Sequence, residues 1–222
     1  MENLGKNLRG KDMSGQRLFG AELNGADLFQ CKLVKAKMSG AALNQANLSQ
    51  ADLTGASLNR AQLQQADLSQ ANLSGAKLHE AELKGANFRG ANLSKTDFNG
   101  AIAAGADFTS AQFAENDFSG CDLTSANLEN AQLSGAVFNN AKLISANLRQ
   151  ANLEKANLTG ADLTSADLSG CNLAGALISK ANFHNANLAG VNLLGVNLYG
   201  ANMTGANLAG AVMPDGTIKP HQ

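Results

Sequence analysis

The sequence predicts an all-β fold, a quadrilateral β-solenoid of about ten coils with four pentads in each. Three observations carry this expectation. From Leu8 to Met213 an apolar residue recurs at every fifth position without a slip, a small residue stands two places before it, and 22 of the 23 glycines fall at the fifth position of the same frame. The repeating unit is Ala-(Asp/Asn)-Leu-x-x, as in Ala66-Asp67-Leu68-Ser69-Gln70.

The strand element follows from the first and third positions. Of the 42 third positions from 8 to 213, 29 are Leu, 7 are Phe, 4 are Met, one is Ile178 and one is Ala103; of the 42 first positions from 6 to 211, 32 are Ala. In a helix, five residues would rotate the large side chain by about 140° and scatter it over every face. On an extended chain, residues two apart point the same way. Each pentad is therefore read as a three-residue strand with its small and large residues inward, closed by a corner at positions four and five.

The corner element follows from glycine, which adopts φ > 0 at no steric cost. Twenty other fifth positions between 30 and 185 carry Gln, Lys, Ser, Asn, Glu or Arg. This mixture predicts that only some corners demand a left-handed residue.

The coil follows from the second positions. Every fourth one, the series Asn7, Asp27, Asn47, Asp67, Asn87, Asp107, Asn127, Asn147, Asp167, Asn187 and Asn207, is Asn or Asp in 11 of 11 cases, against 15 of 32 elsewhere. A 20-residue super-period is the simplest cause. With strands about 4.8 Å apart, the rod is about 50 Å long. Residues 1–20 are read as an imperfect N-terminal coil or cap, because Lys6, Lys11 and Gln16 occupy first positions that should be small; 21–213 form the repeat, and 214–222 a turn and tail. Pro214 and Pro220 lack the donor needed to continue a ladder.

The unbroken Ala-(Asp/Asn)-Leu-x-x tandem resembles the pentapeptide-repeat family, which implies a right-handed quadrilateral β-helix. The segment Ala211-Val212-Met213-Pro214-Asp215-Gly216-Thr217-Ile218 is similar to the ending of cyanobacterial members, including a regulator of heterocyst differentiation. The resemblance leaves function open, since the family includes topoisomerase-binding DNA mimics and differentiation regulators.

Composition narrows the classes of function. The formal net charge of −1 indicates neither a nucleic-acid binder nor a strong polyanion. No run approaches 18 apolar residues, and Met1 to Lys6 lack an apolar signal core, so the cytoplasm is the expected compartment. Cys31, Cys121 and Cys171 all stand where Ala otherwise sits and read as buried small hydrophobes, not as disulfides. His79 and His184 are outward fourth-position residues and His221 lies in the tail. A filled rod offers no pocket in which catalytic groups converge, so no enzyme, cofactor or metal site is expected.

Binding by a long regular face remains. Residues 1–95 hold 12 basic and 8 acidic side chains, whereas 96–141 hold Asp97, Asp107, Glu115, Asp117, Asp122 and Glu129 with no Lys or Arg. One column makes the change visible as Arg17, Lys37, Ser57, Lys77, Asp97, Asp117. The candidate partner-binding residues are Asp97, Glu115, Asp117 and Asp122; the alternative is a Phe-rich core variant with a solvated charged exterior. In the same coils Thr96 and Asn116 are expected to hydrogen-bond each other, Lys95 to pair with Glu115, and Phe98, Phe108 and Phe113 to compensate for Ala103. Val191, Leu194, Val196 and Tyr199 form a second, apolar candidate for self-association, centred on Leu194 and Tyr199 and allowing a homodimer. The preferred function is a non-enzymatic scaffold or regulator that binds a protein partner. A DNA-mimicking binder of a type II topoisomerase, of the quinolone-protection type, is the runner-up, with direct nucleic-acid or membrane binding not expected.

Overall fold

In a computed structural model that describes residues 6–220, the second positions bridge in parallel to the residue 20 places on, from Asn7↔Asp27 to Asn192↔Val212, with breaks only after Gln112 and Leu177. Residues 1–5 of the expected cap, and His221, lie outside the described residues. Each rung uses two hydrogen bonds of one pattern: Leu48 N donates to Asp67 O at 2.7 Å, and Asp67 N donates to Ala46 O at 2.9 Å. Four columns of rungs define four faces. The first runs through Asn7 and Asp27, the second through Asp12 and Lys32, the third through Arg17 and Lys37, and the fourth through Glu22 and Ala42.

The corners differ from the sequence expectation. Every described fifth position has positive φ, including Gln30 (55°), Lys95 (59°) and Glu115 (54°), so every corner demands the left-handed conformation. The closing bond, for example Ala71 N donating to Leu68 O at 3.1 Å, places the fifth residue third in a four-residue turn, where φ > 0 is required. That geometry costs a non-glycine residue on the order of 1 kcal/mol. Stacking offsets part of it: the Gln30 amide donates to Gln50 at 2.9 Å, and Gln50 donates to Gln70 at 3.0 Å. Corner residues are therefore chosen by what lies one coil away as well as by φ.

Inside, the first and third positions form the core. Third-position Leu and Phe from Leu28 to Leu193 are buried, apart from Phe113, which is only partly so. Phe98, Phe118 and Phe138 stack at centroid spacings of 4.9 Å, and Phe88 stacks on Phe108 at 5.0 Å. Ala103 is fully buried among these coils.

The second-position Asn and Asp have a local task that composition alone did not reveal. Their Oδ1 accepts the amide two residues on, as Asp67 does from Ser69 at 3.0 Å, which fixes the approach to the corner. On the first face they also form a ladder: Asn47 donates to Asp27 at 3.1 Å, Asn87 to Asp67 at 3.0 Å, and Asn187 to Asp167 at 3.0 Å. An amide follows every carboxylate of that column, so no two charges of one sign stack. The 11-of-11 preference is this ladder.

The expected hydrogen bond between Thr96 and Asn116 forms, but through the Thr96 carbonyl and not its side chain. Thr96 Oγ1 donates to Leu73 O at 2.9 Å, and Asn116 Nδ2 donates to Leu93 O at 2.6 Å and Thr96 O at 3.1 Å. The nearest acceptors are the carbonyls of the preceding coil. Asn116 Oδ1 takes the Ala114 amide at 2.9 Å, and the corner bond from Asn116 N to Phe113 O is lost. The amides of Ser110, Phe113, Glu115, Asn116, Asp117 and Gln132 donate no backbone hydrogen bond, and no Gln112↔Gln132 bridge forms. A similar gap occurs at Ile178, Lys180 and Asn197, beside Val196. Both gaps coincide with a residue larger than Ala in the small column behind the third face, which holds adjacent coils apart.

At the start, Lys6, Lys11 and Gln16 are exposed, and Leu8, Met13 and Leu18 are only partly buried. At the end the chain turns back. Met213 N donates to Thr217 O at 2.7 Å, Lys219 N donates to Ala211 O at 2.9 Å, and Val212 pairs antiparallel with Ile218. This hairpin covers the last rung of the second face.

Candidate protein-interaction face

The charge pattern of the four columns singles out the third face. On the second face Lys32 lies between Asp12 and Asp52, and on the fourth Lys142 lies between Asp122 and Asp162. On the first, carboxylates alternate with amides. Among the described residues the third alone stacks like on like: Arg17 bridges to Lys37 and Asp97 bridges to Asp117. Like charges directly opposite one another destabilise a sheet, so rod stability does not account for this column.

None of Arg17, Lys37, Lys77, Asp97 and Asp117 forms an ion pair among the described residues, although Lys77 and Asp97 are neighbouring rungs. Some charges elsewhere are paired: Arg9 reaches Asp27 at 3.0 Å, Arg60 reaches Glu80 at 2.6 Å and Arg89 reaches Asp107 at 3.1 Å, whereas Lys32, Asp52, Lys142 and Asp162, which alternate in sign along their columns, form no ion pair among the described residues. The hydrogen bond from Arg60 holds the Glu80 carboxyl below its usual range, and that from Arg9 does the same for Asp27. Asp97 and Asp117 each accept one amide, from Asn99 at 2.9 Å and Ser119 at 2.8 Å, which leaves the outer carboxylate oxygen unpartnered.

Of the four candidate residues, the fold joins three. Asp97 and Asp117 occupy adjacent rungs, and Glu115 stands at the corner leading into Asp117, paired with Lys95 at 3.4 Å. That pair is well exposed and contributes little. Asp122 lies around the next corner, on the fourth face.

The apolar candidate is narrower than the sequence indicated. Leu194 and Tyr199 are 51% and 88% exposed, but Val191 and Val196 are buried, because they occupy inward first positions. Leu177 and Tyr199 line a shallow groove of about 360 Å³ at the second ladder gap. Phe19, exposed under the Arg17 guanidinium at 5.7 Å, was not anticipated; its fourth-position place was the available signal.

Other groups are quiet. The three cysteines are free and buried, and burial pushes the Cys171 thiol up to about 12 and Cys121 higher still. Among the described residues no cluster of His, Cys, Asp and Glu is arranged to hold a metal ion, and no helix is long and apolar enough to cross a membrane.

Eight copies of the signature described as Pentapeptide repeats match between residues 7–33 and 176–213, covering nearly the whole chain. The chain belongs to the pentapeptide-repeat family. Its fold is the right-handed quadrilateral β-helix of that family. HetL, a pentapeptide-repeat protein involved in heterocyst differentiation regulation in the cyanobacterium Nostoc sp. strain PCC 7120, is 36% identical over 96% of this chain and 91% of its own, with a TM-score of 0.47. Rfr23 from the cyanobacterium Cyanothece 51142 is 39% identical over 44% of this chain and 63% of its own, with a TM-score of 0.36. A trypsin-treated form of QnrB1, a plasmid-mediated fluoroquinolone resistance protein, is 21% identical over 93% of this chain and 91% of its own, with a TM-score of 0.42. No curated protein matches the chain.

Proposed function

We propose that this pentapeptide-repeat protein is a non-enzymatic interaction scaffold of the cytoplasm that regulates a protein partner by binding it through the third face, with Asp97 and Asp117 as the acidic contact and Glu115 at its edge. The observation that carries this reading is the Asp97–Asp117 stack, a like-charge pair without an internal counter-ion in a protein whose other columns alternate their charges. A basic side chain inserted between the two carboxylates relieves their repulsion, so the partner presents Lys or Arg there. Asp122, one face away, is left out of the contact. The test is capture of partners by wild type and by Asp97→Lys with Asp117→Lys; retention unchanged by the substitutions overturns the assignment.

The topoisomerase-binding alternative requires a duplex-like charge density, about one negative charge per 1.7 Å of axis. A mimic about 50 Å long would need roughly 30 uncompensated charges, whereas this chain sets 18 acidic against 17 basic residues. Protection of DNA gyrase from quinolone in a supercoiling assay would reverse the ranking.

A further inference from the structure

The stripe on the third face reads Arg17, Lys37, Ser57, Lys77, Asp97, Asp117 along six consecutive rungs. Its basic end and its acidic end are the same number of rungs from the midpoint between Ser57 and Lys77. A twofold axis lying in the plane of the contact, along the rungs and perpendicular to the rod at that midpoint, therefore sets Arg17 against Asp117, Lys37 against Asp97 and Ser57 against Lys77, and symmetry doubles each pair.

We propose that two copies of this chain pair side by side and antiparallel through the third face, in this register. The inference rests on reading that face as the interaction face, and it names the occupant: the basic surface first available to Asp97 and Asp117 is that of another copy.

The same axis brings each flanking row over its own equivalent: on one side Phe19 meets Ser119, Ser39 meets Asn99 and Asn59 meets His79, and on the other Glu115 meets Gly15 and Lys35 meets Lys95. Lys35 and Lys95 are the one like-charge contact, and Glu115, paired with Lys95 at 3.4 Å in its own copy, offsets it. Sliding one copy by a single rung loses this match: one direction sets Lys77 against its own equivalent, and the other sets Lys37 against Lys77. The charges spent are those without internal partners, so pairing breaks no existing ion pair.

The size of the contact fixes its strength. Six rungs at about 4.8 Å span about 29 Å, and a face about 15 Å wide gives roughly 400 Å² per copy, against about 800 Å² per partner in a stable complex. The dimer is therefore weak and held mainly by charge, so added salt weakens it. A heterologous partner with a basic patch competes with it directly, which makes self-pairing a brake on the proposed function.

Sedimentation equilibrium of the purified full chain tests this in about 50 mM and about 500 mM salt, where the Debye length falls several-fold. The expected result is a dimer whose dissociation constant rises at least tenfold with salt. Two charge-reversed chains are then compared, one carrying Arg17→Asp with Lys37→Asp and the other Asp97→Lys with Asp117→Lys. Each alone is monomeric, while an equimolar mixture forms a heterodimer, because the acidic and basic stripes match in the same register. Circular dichroism of each chain establishes that it is folded, and recovery in the mixture excludes misfolding as the cause of lost pairing. A wild-type monomer at low salt, or a dimer indifferent to either pair of substitutions, overturns the proposal. Failure here leaves partner capture by Asp97 and Asp117 untouched, and failure of capture leaves the sedimentation result untouched.

Discussion

Asn116→Ala is expected to stabilise the rod. The wild-type amide makes hydrogen bonds to Leu93 O at 2.6 Å, Thr96 O at 3.1 Å and Ala114 N at 2.9 Å, but it displaces the regular ladder around it. Leu93 O keeps the Thr96 amide at 3.0 Å when the side chain is removed, and Thr96 O becomes free to accept Asp117 N as the repeat pattern requires. Three side-chain bonds are exchanged for up to six backbone ones, from Ser110, Phe113, Glu115, Asn116, Asp117 and Gln132. At about 0.5–1.5 kcal/mol net per hydrogen bond, a net gain of up to three bonds is worth up to about 1.5–4.5 kcal/mol. Urea unfolding reads the stability, and hydrogen exchange at Glu115, Asn116 and Asp117 reads the ladder, which should become protected. A loss of more than about 1 kcal/mol, or unchanged exchange at those amides, would show that Asn116 supports the coil and does not prise it open.

Phe118→Ala removes the middle ring of the Phe98–Phe118–Phe138 stack and should cost about 3–5 kcal/mol, whereas Phe113→Ala, at a partly buried site, should cost clearly less; equal losses by urea denaturation would contradict the packing described. Because Arg60 lowers the Glu80 pKa from its ordinary 4.5, that pair stabilises the fold above this value and its contribution is lost as pH falls through the lowered one. The difference in melting temperature between wild type and Arg60→Ala should therefore be present at pH 7 and vanish in acid; a difference that grows in acid contradicts the pairing. Burial raises the Cys171 thiol to about 12 and Cys121 further, so a thiol-specific reagent at neutral pH should label neither in the folded chain and both in urea.

The architecture was legible because a strict period of five admits only one placement of small and large side chains, and the 20-residue coil showed in the Asn and Asp column. The corner conformation was misread because Gln30 or Lys95 has no local preference for φ > 0; closure of the coil imposes it, and the stacking partner lies 20 residues away. The bond between Thr96 and Asn116 was legible, but its route was not, for a related reason. Their carbonyl acceptors lie 20 or 23 residues back, and only the wound coil shows that these are nearer than the other side chain. The charged stripe was legible in full, since columns follow from the register, but the ladder gap beside it was not. Asp122 was grouped with Asp97 and Asp117 by nearness in the chain, whereas the corner at Ser119 and Gly120 carries it to another face.

The most direct measurement of the central claim compares partner capture by three chains: wild type, Asp97→Lys with Asp117→Lys, and Asp122→Lys. If the third face is the binding surface, the first substitution pair abolishes retention of the proteins captured by wild type, and Asp122→Lys, one corner away, leaves them bound. Equal loss from both variants, or loss from Asp122→Lys alone, would contradict it.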